Sequence, residues 1–332
     1  MAADRPLKRL THVNDALLAS VTLGEVEKVS FPCEDVRTYT TLGAKSMMID
    51  TVNSEVEMFV FKPPGFVEGG GFKYPCLLWI HGGPVSQYLL RGIRIHNKSH
   101  NLPLILVLDY AYKSPRSRYD WGFGAPAQLF TNHGYVVLQV NPRGSTGRGE
   151  EFCAALFADW GGPGLHDVLS AVDYAVDVMG IADPDRLCVG GWSYGGILTN
   201  HVITKTQHKF KAAMTGASST LYRASYGHDQ YQLTWEQEVG LPWENAEGWE
   251  AISPFNDVAD VTTPTLIVCG EKDWNVPVQN SDQLYQALKR LGVDTQLIVY
   301  PNEHHGIALP SFEKDRYERW IGWFDKHTST SA

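Results

Sequence analysis

From about residue 75 onward the chain alternates short, apolar, β-prone runs with amphipathic helical segments, and few folds accept that alternation. Six runs, at 76–80, 135–141, 187–191, 211–215, 265–270 and 296–300, are flanked by Gly, Pro or Asp, as strands buried on both faces are. Between them Leu165, Val168, Leu169, Val172, Val176 and Met179 recur at helical spacing, as do Leu284, Leu288 and Leu291. A last helix, expected over about 312–324 with Trp320 and Trp323, should close the edge of the sheet. The fold class is therefore α/β, a mostly parallel central sheet with helices on both faces.

Composition narrows the partners. Among 332 residues, 28 basic side chains face 37 acidic ones, a net charge of -9, and no window of Lys and Arg builds the stripe that a phosphate backbone requires. Nucleic acid is excluded as an expected partner. Cys33, Cys76, Cys153, Cys188 and Cys269 are odd in number and lack a C-x-x-C pair, which argues against a disulfide framework and a thiolate zinc site and for a reducing, cytoplasmic setting. The longest apolar runs, 104–108 and 135–140, fall far short of the roughly 20 residues a membrane helix needs, and the first ten residues hold no apolar signal core. No membrane partner is expected. A homo-oligomer is compatible with the sequence, which encodes no oligomeric state. Two stretches interrupt the alternation: residues 1–30 precede it, and the basic, irregular run 89–118 stands where a short connection should be.

Ser193 lies in a Gly-x-Ser-x-Gly frame formed by Gly191 and Gly195, at an expected strand-to-helix junction. Such a turn is too tight for side chains two residues either side, and it presents the hydroxyl at a helix N-terminus that favours developing negative charge. The competing reading is a glycine-rich turn with Ser193 as a helix cap.

In the α/β-hydrolase arrangement that this elbow suggests, acid and histidine follow the serine in chain order, each just after a strand. Asp273 follows the run 265–270, and Glu271 is a rival hard against the strand end; Asp273 alone also reads as a cap for a helix beginning near residue 280. The run 296–300 is followed by His304 and His305. The base takes the serine proton while the carboxylate fixes its tautomer. The oxyanion hole is expected from the backbone N–H of Tyr194 and from Gly82 or Gly83 in His81-Gly82-Gly83-Pro84, which otherwise reads as an ordinary turn.

Residues 79–88, 119–152, 190–196, 253–277 and 300–307, including HGGP, NPRGSTGRG, GGWSYGG and NEHHG, together resemble the prolyl oligopeptidase family of serine peptidases, in particular its acylaminoacyl and dipeptidyl peptidase branches. In that family the histidine directly before Gly is catalytic, which selects His305, 32 residues after Asp273. The resemblance also implies that Asn275 holds a substrate carbonyl and that the Tyr194 ring and residues 216–226 border the P1 pocket. Arg143 is expected to pair beneath the site without touching substrate.

The resemblance has departures. Family members carry an N-terminal β-propeller over the active site; here residues 1–30 look like a propeller remnant and linker, and residues 31–332 like an α/β-hydrolase catalytic domain with an insertion at 89–118, a lid or a gene-model artefact. Residues 33–55 stray from the expected strand pattern. The expected function is serine peptidase action near the N-terminus of short peptides, through a Ser193–Asp273–His305 triad and an acyl-enzyme, with no metal or organic cofactor. Two alternatives stand beside it: a carboxylic ester hydrolase of the same fold, and a truncated chain that scaffolds or has little activity.

Overall fold

A computed structural model describes residues 14–33, 38–42, 45–49, 54–83 and 124–329. The run 89–118 and residues 1–13 lie outside the described residues.

Ten strands are described: β1 (Glu25–Cys33), β2 (Thr38–Leu42), β3 (Lys45–Ile49), β4 (Ser54–Lys62), β5 (Tyr74–Ile80), β6 (Val136–Asn141), β7 (Ala182–Trp192), β8 (Ala212–Gly216), β9 (Thr265–Gly270) and β10 (Thr295–Tyr300). Eight form one sheet in the order β1-β4-β6-β5-β7-β8-β9-β10, while β2 and β3 pair as a separate hairpin. From β6 to β10 every neighbour is parallel, and β4 runs antiparallel to both β1 and β6. The six parallel strands match the six apolar runs to within a residue or two at most ends.

Alternation along each strand divides two cores. Cys76, Leu78, Ile80 and Val189 face one side, where Val168 and Val172 of the helix Gly162–Asp173, Leu198 and Val202 of the helix Tyr194–Lys205, and Leu284 and Leu288 of the helix Gln279–Leu291 cover them. Leu77, Trp79, Cys188 and Met214 face the other, under Phe130 and the helix Pro310–Thr328. A third, smaller cluster of Ile197, Tyr222, Trp235, Val239, Trp249 and Ile252 gathers the helical excursion of residues 217–264.

Three expectations need correction. The last helix does not close the sheet edge: Trp320 packs 5.1 Å from Trp79 on a central strand, and Trp320, Trp323 and Phe324 enter the core that Leu77, Phe130 and Met214 form on that face. Residues 25–33 and 54–62, which carried no strand signal of the parallel kind, extend the sheet; in β1 Val29, Phe31 and Cys33 turn toward one core and Val26 packs against the other, and Pro32 is tolerated because β1 is an edge. The boundary drawn at residue 30 therefore falls inside a strand. Finally, β7 begins at Ala182, five residues early, through a register shift against β5 that absorbs the polar 183–186.

Candidate active site

Four parallel strands end at the same edge and deliver the site: β5 leads to residues 81–83, β7 to Ser193, β9 to Asp273 and β10 to His305. The elbow is built as its glycines require. A Cβ on Gly191 would stand 2.5 Å from the Gly195 carbonyl group, and one on Gly195 would stand 2.1 Å from the Ile80 oxygen. Ser193 itself holds φ 61° and ψ -122°, a conformation costing about 1–3 kcal/mol that its surroundings must impose. Its N–H donates to Gly216 O at 2.9 Å, and its carbonyl starts the helix by accepting from Ile197 N at 2.9 Å.

The Ser193 hydroxyl lies 2.9 Å from His305 Nε2, and His305 Nδ1 lies 2.8 Å from Asp273 Oδ2. The Asp273 side chain is fully buried and that of His305 is 24% exposed. Asp273 Oδ1 accepts from the backbone N–H of Asn275 at 2.8 Å and of Val276 at 2.9 Å, so the carboxylate is oriented by its own loop. A carboxylate only accepts, which makes Nδ1 the donor and leaves Nε2 to accept from the serine. Glu271 and His304 stay outside this chain: Glu271 accepts from Asn302 N, and His304 Nδ1 bonds Lys272 O, both exposed.

The base loop is clamped from within. Buried Glu303 accepts from Leu309 N at 3.2 Å and from Ala308 N, and its carbonyl accepts from Lys272 N of the acid loop at 2.8 Å. The Trp192 indole donates to His305 O at 2.8 Å. The motifs that contain them do not state these roles: the Trp192 bond spans 113 residues from the end of β7, and the Glu303 carboxylate closes a local loop whose shape no motif encodes.

Residues 81–83 lie against the elbow: a Cβ on Gly82 would meet Trp192 O at 3.0 Å and Ser193 Cβ at 3.4 Å, and Gly83 has φ 133°. Tyr194 opens a helix whose first N–H groups have no partner within the helix. Buried His81 braces this strand end, with Nδ1 2.8 Å from Gly82 O and Nε2 2.9 Å from Ser145 Oγ. Burial pushes its imidazole down to about 4, so it is neutral near pH 7; Nδ1–H donates to the carbonyl and Nε2 accepts the serine hydroxyl.

The Tyr194 ring does not border an open pocket. It is 1% exposed and stands edge-on to Trp160 at 5.7 Å, with its hydroxyl wedged where a Gly164 Cβ would be 2.8 Å away. The elbow turns Tyr194 into the first helical turn, which carries the ring beneath the sheet edge. Asn275 is half-buried beside the site, and its Oδ1 accepts from Gln230 Nε2 at 2.8 Å, leaving its amide N–H groups as the donors it can offer. Arg143 lies beneath as expected, its guanidinium 2.7 Å from Asp167 Oδ1, with both groups buried.

Cys33 Sγ, His166 Nδ1 and an Asp167 oxygen lie within 4.8 Å of one another. These are poor ligands for a cation. Both Asp167 oxygens are engaged by Arg143, and burial, with the Asp167 charge beside it, pushes the Cys33 thiol up to about 12, so that it donates to Asp167 Oδ1 at 3.1 Å.

This sheet order, an elbow serine at positive φ, and a histidine–carboxylate pair reaching it from neighbouring strand ends define the α/β-hydrolase class. Within that class, the chain belongs to the prolyl oligopeptidase family, whose pattern matches residues 121–331. It is 32% identical over 318 residues to the uncharacterized peptidase YuxL of Bacillus subtilis, covering 93% of this chain and 43% of that protein. It is 34% identical over 239 residues to the acylamino-acid-releasing enzyme of Arabidopsis thaliana, covering 68% of this chain and 30% of that one. Its fold is that of the Pyrococcus horikoshii acylaminoacyl peptidase, with a TM-score of 0.75 at 22% identity over 97% of this chain and 45% of the other. The chain thus spans less than half the length of these relatives.

Among the described residues no helix is long and apolar enough to cross a membrane.

Proposed function

We propose that the chain carries the catalytic domain of a serine peptidase that cleaves short peptides near their N-terminus. The observation that carries this reading is the unbroken hydrogen-bond chain from Ser193 through His305 to buried Asp273. Ser193 Oγ attacks the scissile carbonyl carbon while His305 Nε2 takes its proton; the tetrahedral oxyanion is received by the N–H of Tyr194 and of Gly82 or Gly83. His305 then hands the proton to the departing amine, the C–N bond breaks, and an acyl ester remains on Ser193. Water, deprotonated by His305, releases the acid and restores the serine. Asp273 holds the tautomer and faces the imidazolium that forms. Asn275, held by Gln230, offers its amide N–H to the carbonyl next to the scissile one.

The acylamino-acid-releasing enzyme at 34% identity and the probable dipeptidyl-peptidase 5 of Emericella nidulans, at 26% identity over 83% of this chain, support the N-terminal class of substrate. In this reading the catalytic domain takes in β1 and so begins by Glu25, and the propeller remnant and linker are confined to the residues before it. Five cysteines without a disulfide support a reducing, cytoplasmic compartment.

The test is labelling of the purified chain with a fluorescent fluorophosphonate. Labelling of wild type and not of Ser193→Ala is expected, followed by turnover of acyl-amino-acid or dipeptide anilides. A cooperatively folded chain that refuses the label overturns the reading, and turnover confined to p-nitrophenyl esters moves the substrate to carboxylic esters.

A further inference from the structure

We propose that Trp192 is a positioning residue for the base: its indole N–H holds the main chain of His305 so that Nε2 stays within reach of Ser193. The inference rests on the triad reading above. His305 is anchored at two places. Its imidazole is held by Asp273 at 2.8 Å, and its carbonyl oxygen by Trp192 Nε1 at 2.8 Å. The first bond fixes the ring's tilt but leaves the loop free to slide; the second fixes the backbone from which the ring projects. Glu303 ties that loop to itself and to the acid loop, whereas Trp192 ties it to the strand that carries the nucleophile.

The indole is well placed for this because it cannot turn away. One edge lies on the backbone of Gly216, where a Cβ would come within 2.1 Å of the ring. The Gly216 carbonyl in turn accepts from Ser193 N at 2.9 Å. On another side Trp320 stands 6.2 Å away and the Arg316 guanidinium 5.6 Å above the ring, with Arg316 itself pinned by Glu313 at 3.0 Å. The main-chain oxygen of Trp192 faces Gly82. One residue next to the nucleophile therefore touches the oxyanion strand with its backbone and the base loop with its side chain. Indole nitrogen only donates, so the pairing has a single sense. A displacement of about 1 Å in a reacting group costs on the order of 100-fold in rate, which is the scale at which such an anchor matters.

Two substitutions separate the hydrogen bond from the packing. Trp192→Phe keeps an aromatic ring against Gly216 and removes the donor; Trp192→His loses the six-membered ring but can place a ring N–H where the indole N–H stands. The readout is fluorophosphonate inactivation of the full chain, resolved into KI and the limiting rate. For Trp192→Phe the limiting rate should fall at least tenfold with KI within about twofold of wild type, and Trp192→His should retain most of it. In an Asp273→Asn background, Trp192→Phe should cost much less than it does alone, since both residues act through His305.

The reverse ranking, with Phe active and His impaired, assigns the role to packing and overturns the proposal. So does full multiplication of the two effects. If Trp192→Phe does not melt cooperatively, Trp192→His decides alone: a near-wild-type rate supports the anchor and a lost rate removes it. A wild-type chain that takes no label defeats the triad reading itself, whereas a labelled wild type matched by Trp192→Phe defeats only this inference.

Discussion

His81 and His201 are buried imidazoles that the proposed chemistry does not protonate. Burial pushes each down to about 4 from the ordinary 6.5; His81 meets Gly82 and Ser145, and His201 sits near Lys205, which lowers it further, and Asp257, which opposes that. Because the folded values are depressed, the stabilisation from keeping both neutral is fully present above pH 6.5. It is lost as pH falls from 6.5 toward 4, where the unfolded chain binds two protons that the folded chain refuses, a loss on the order of a few kcal/mol per group. Thermal melts at pH 7 and pH 4.5 should show a steeper drop for wild type than for the His81→Gln, His201→Gln double variant; parallel drops would contradict the buried-neutral assignment. At this scale the sequence named Ser193, Asp273 and His305 because each follows an apolar strand and sits in a short motif. It was silent on the roles of Trp192 and Gln230, whose partners only the tertiary fold brings near, and of Glu303, whose carboxylate accepts from Ala308 and Leu309 through a loop shape no motif encodes; and it placed the Tyr194 ring in a pocket because a motif does not say which way a first helical turn points.

Among the elements, strands buried on both faces were legible as uninterrupted apolar runs, and β1 and β4 were not. In β4 the buried Glu57 and Lys62 break the apolar pattern, and both are tolerated because β1 supplies partners: Lys28 pairs with Glu57, and Glu27 lies 2.8 Å from Lys62. The last helix was legible as a helix and misplaced, since periodicity gives the width of an apolar stripe and not the strand it lands on. That landing makes a prediction. Trp320 is 2% exposed, between Trp79, Tyr317 and the Arg316 guanidinium, and it stands beside Trp192. Trp320→Ala should lower the unfolding free energy by about 3–5 kcal/mol in urea titrations. It should also slow labelling in the fraction that remains folded, because Trp192 loses a wall; a loss of unfolding free energy below about 1 kcal/mol would mean the helix is fastened elsewhere.

For the molecule as a whole, all five cysteines are free, and Cys153 alone among them is not buried. Burial raises the Cys153 thiol as well, so its reaction with a disulfide reagent should be slow. Native chain titrated with such a reagent should release one equivalent, and the urea-unfolded chain five. Two or more fast equivalents in the native state would show that the sheet opens locally around Cys33, Cys76, Cys188 or Cys269.

The helical excursion of residues 217–264 keeps a small core of its own and is tied to the rest through Ile197, Trp160, its own Val261 and the Gln230–Asn275 bond, while Ser193, Asp273 and His305 stand at strand ends that it does not supply. Changes confined to this excursion leave the strand ends that carry Ser193, Asp273 and His305 in place and reach them through Gln230, which holds Asn275. Chimeras that swap this segment between relatives are therefore the natural currency for asking how one scaffold diversifies its diet.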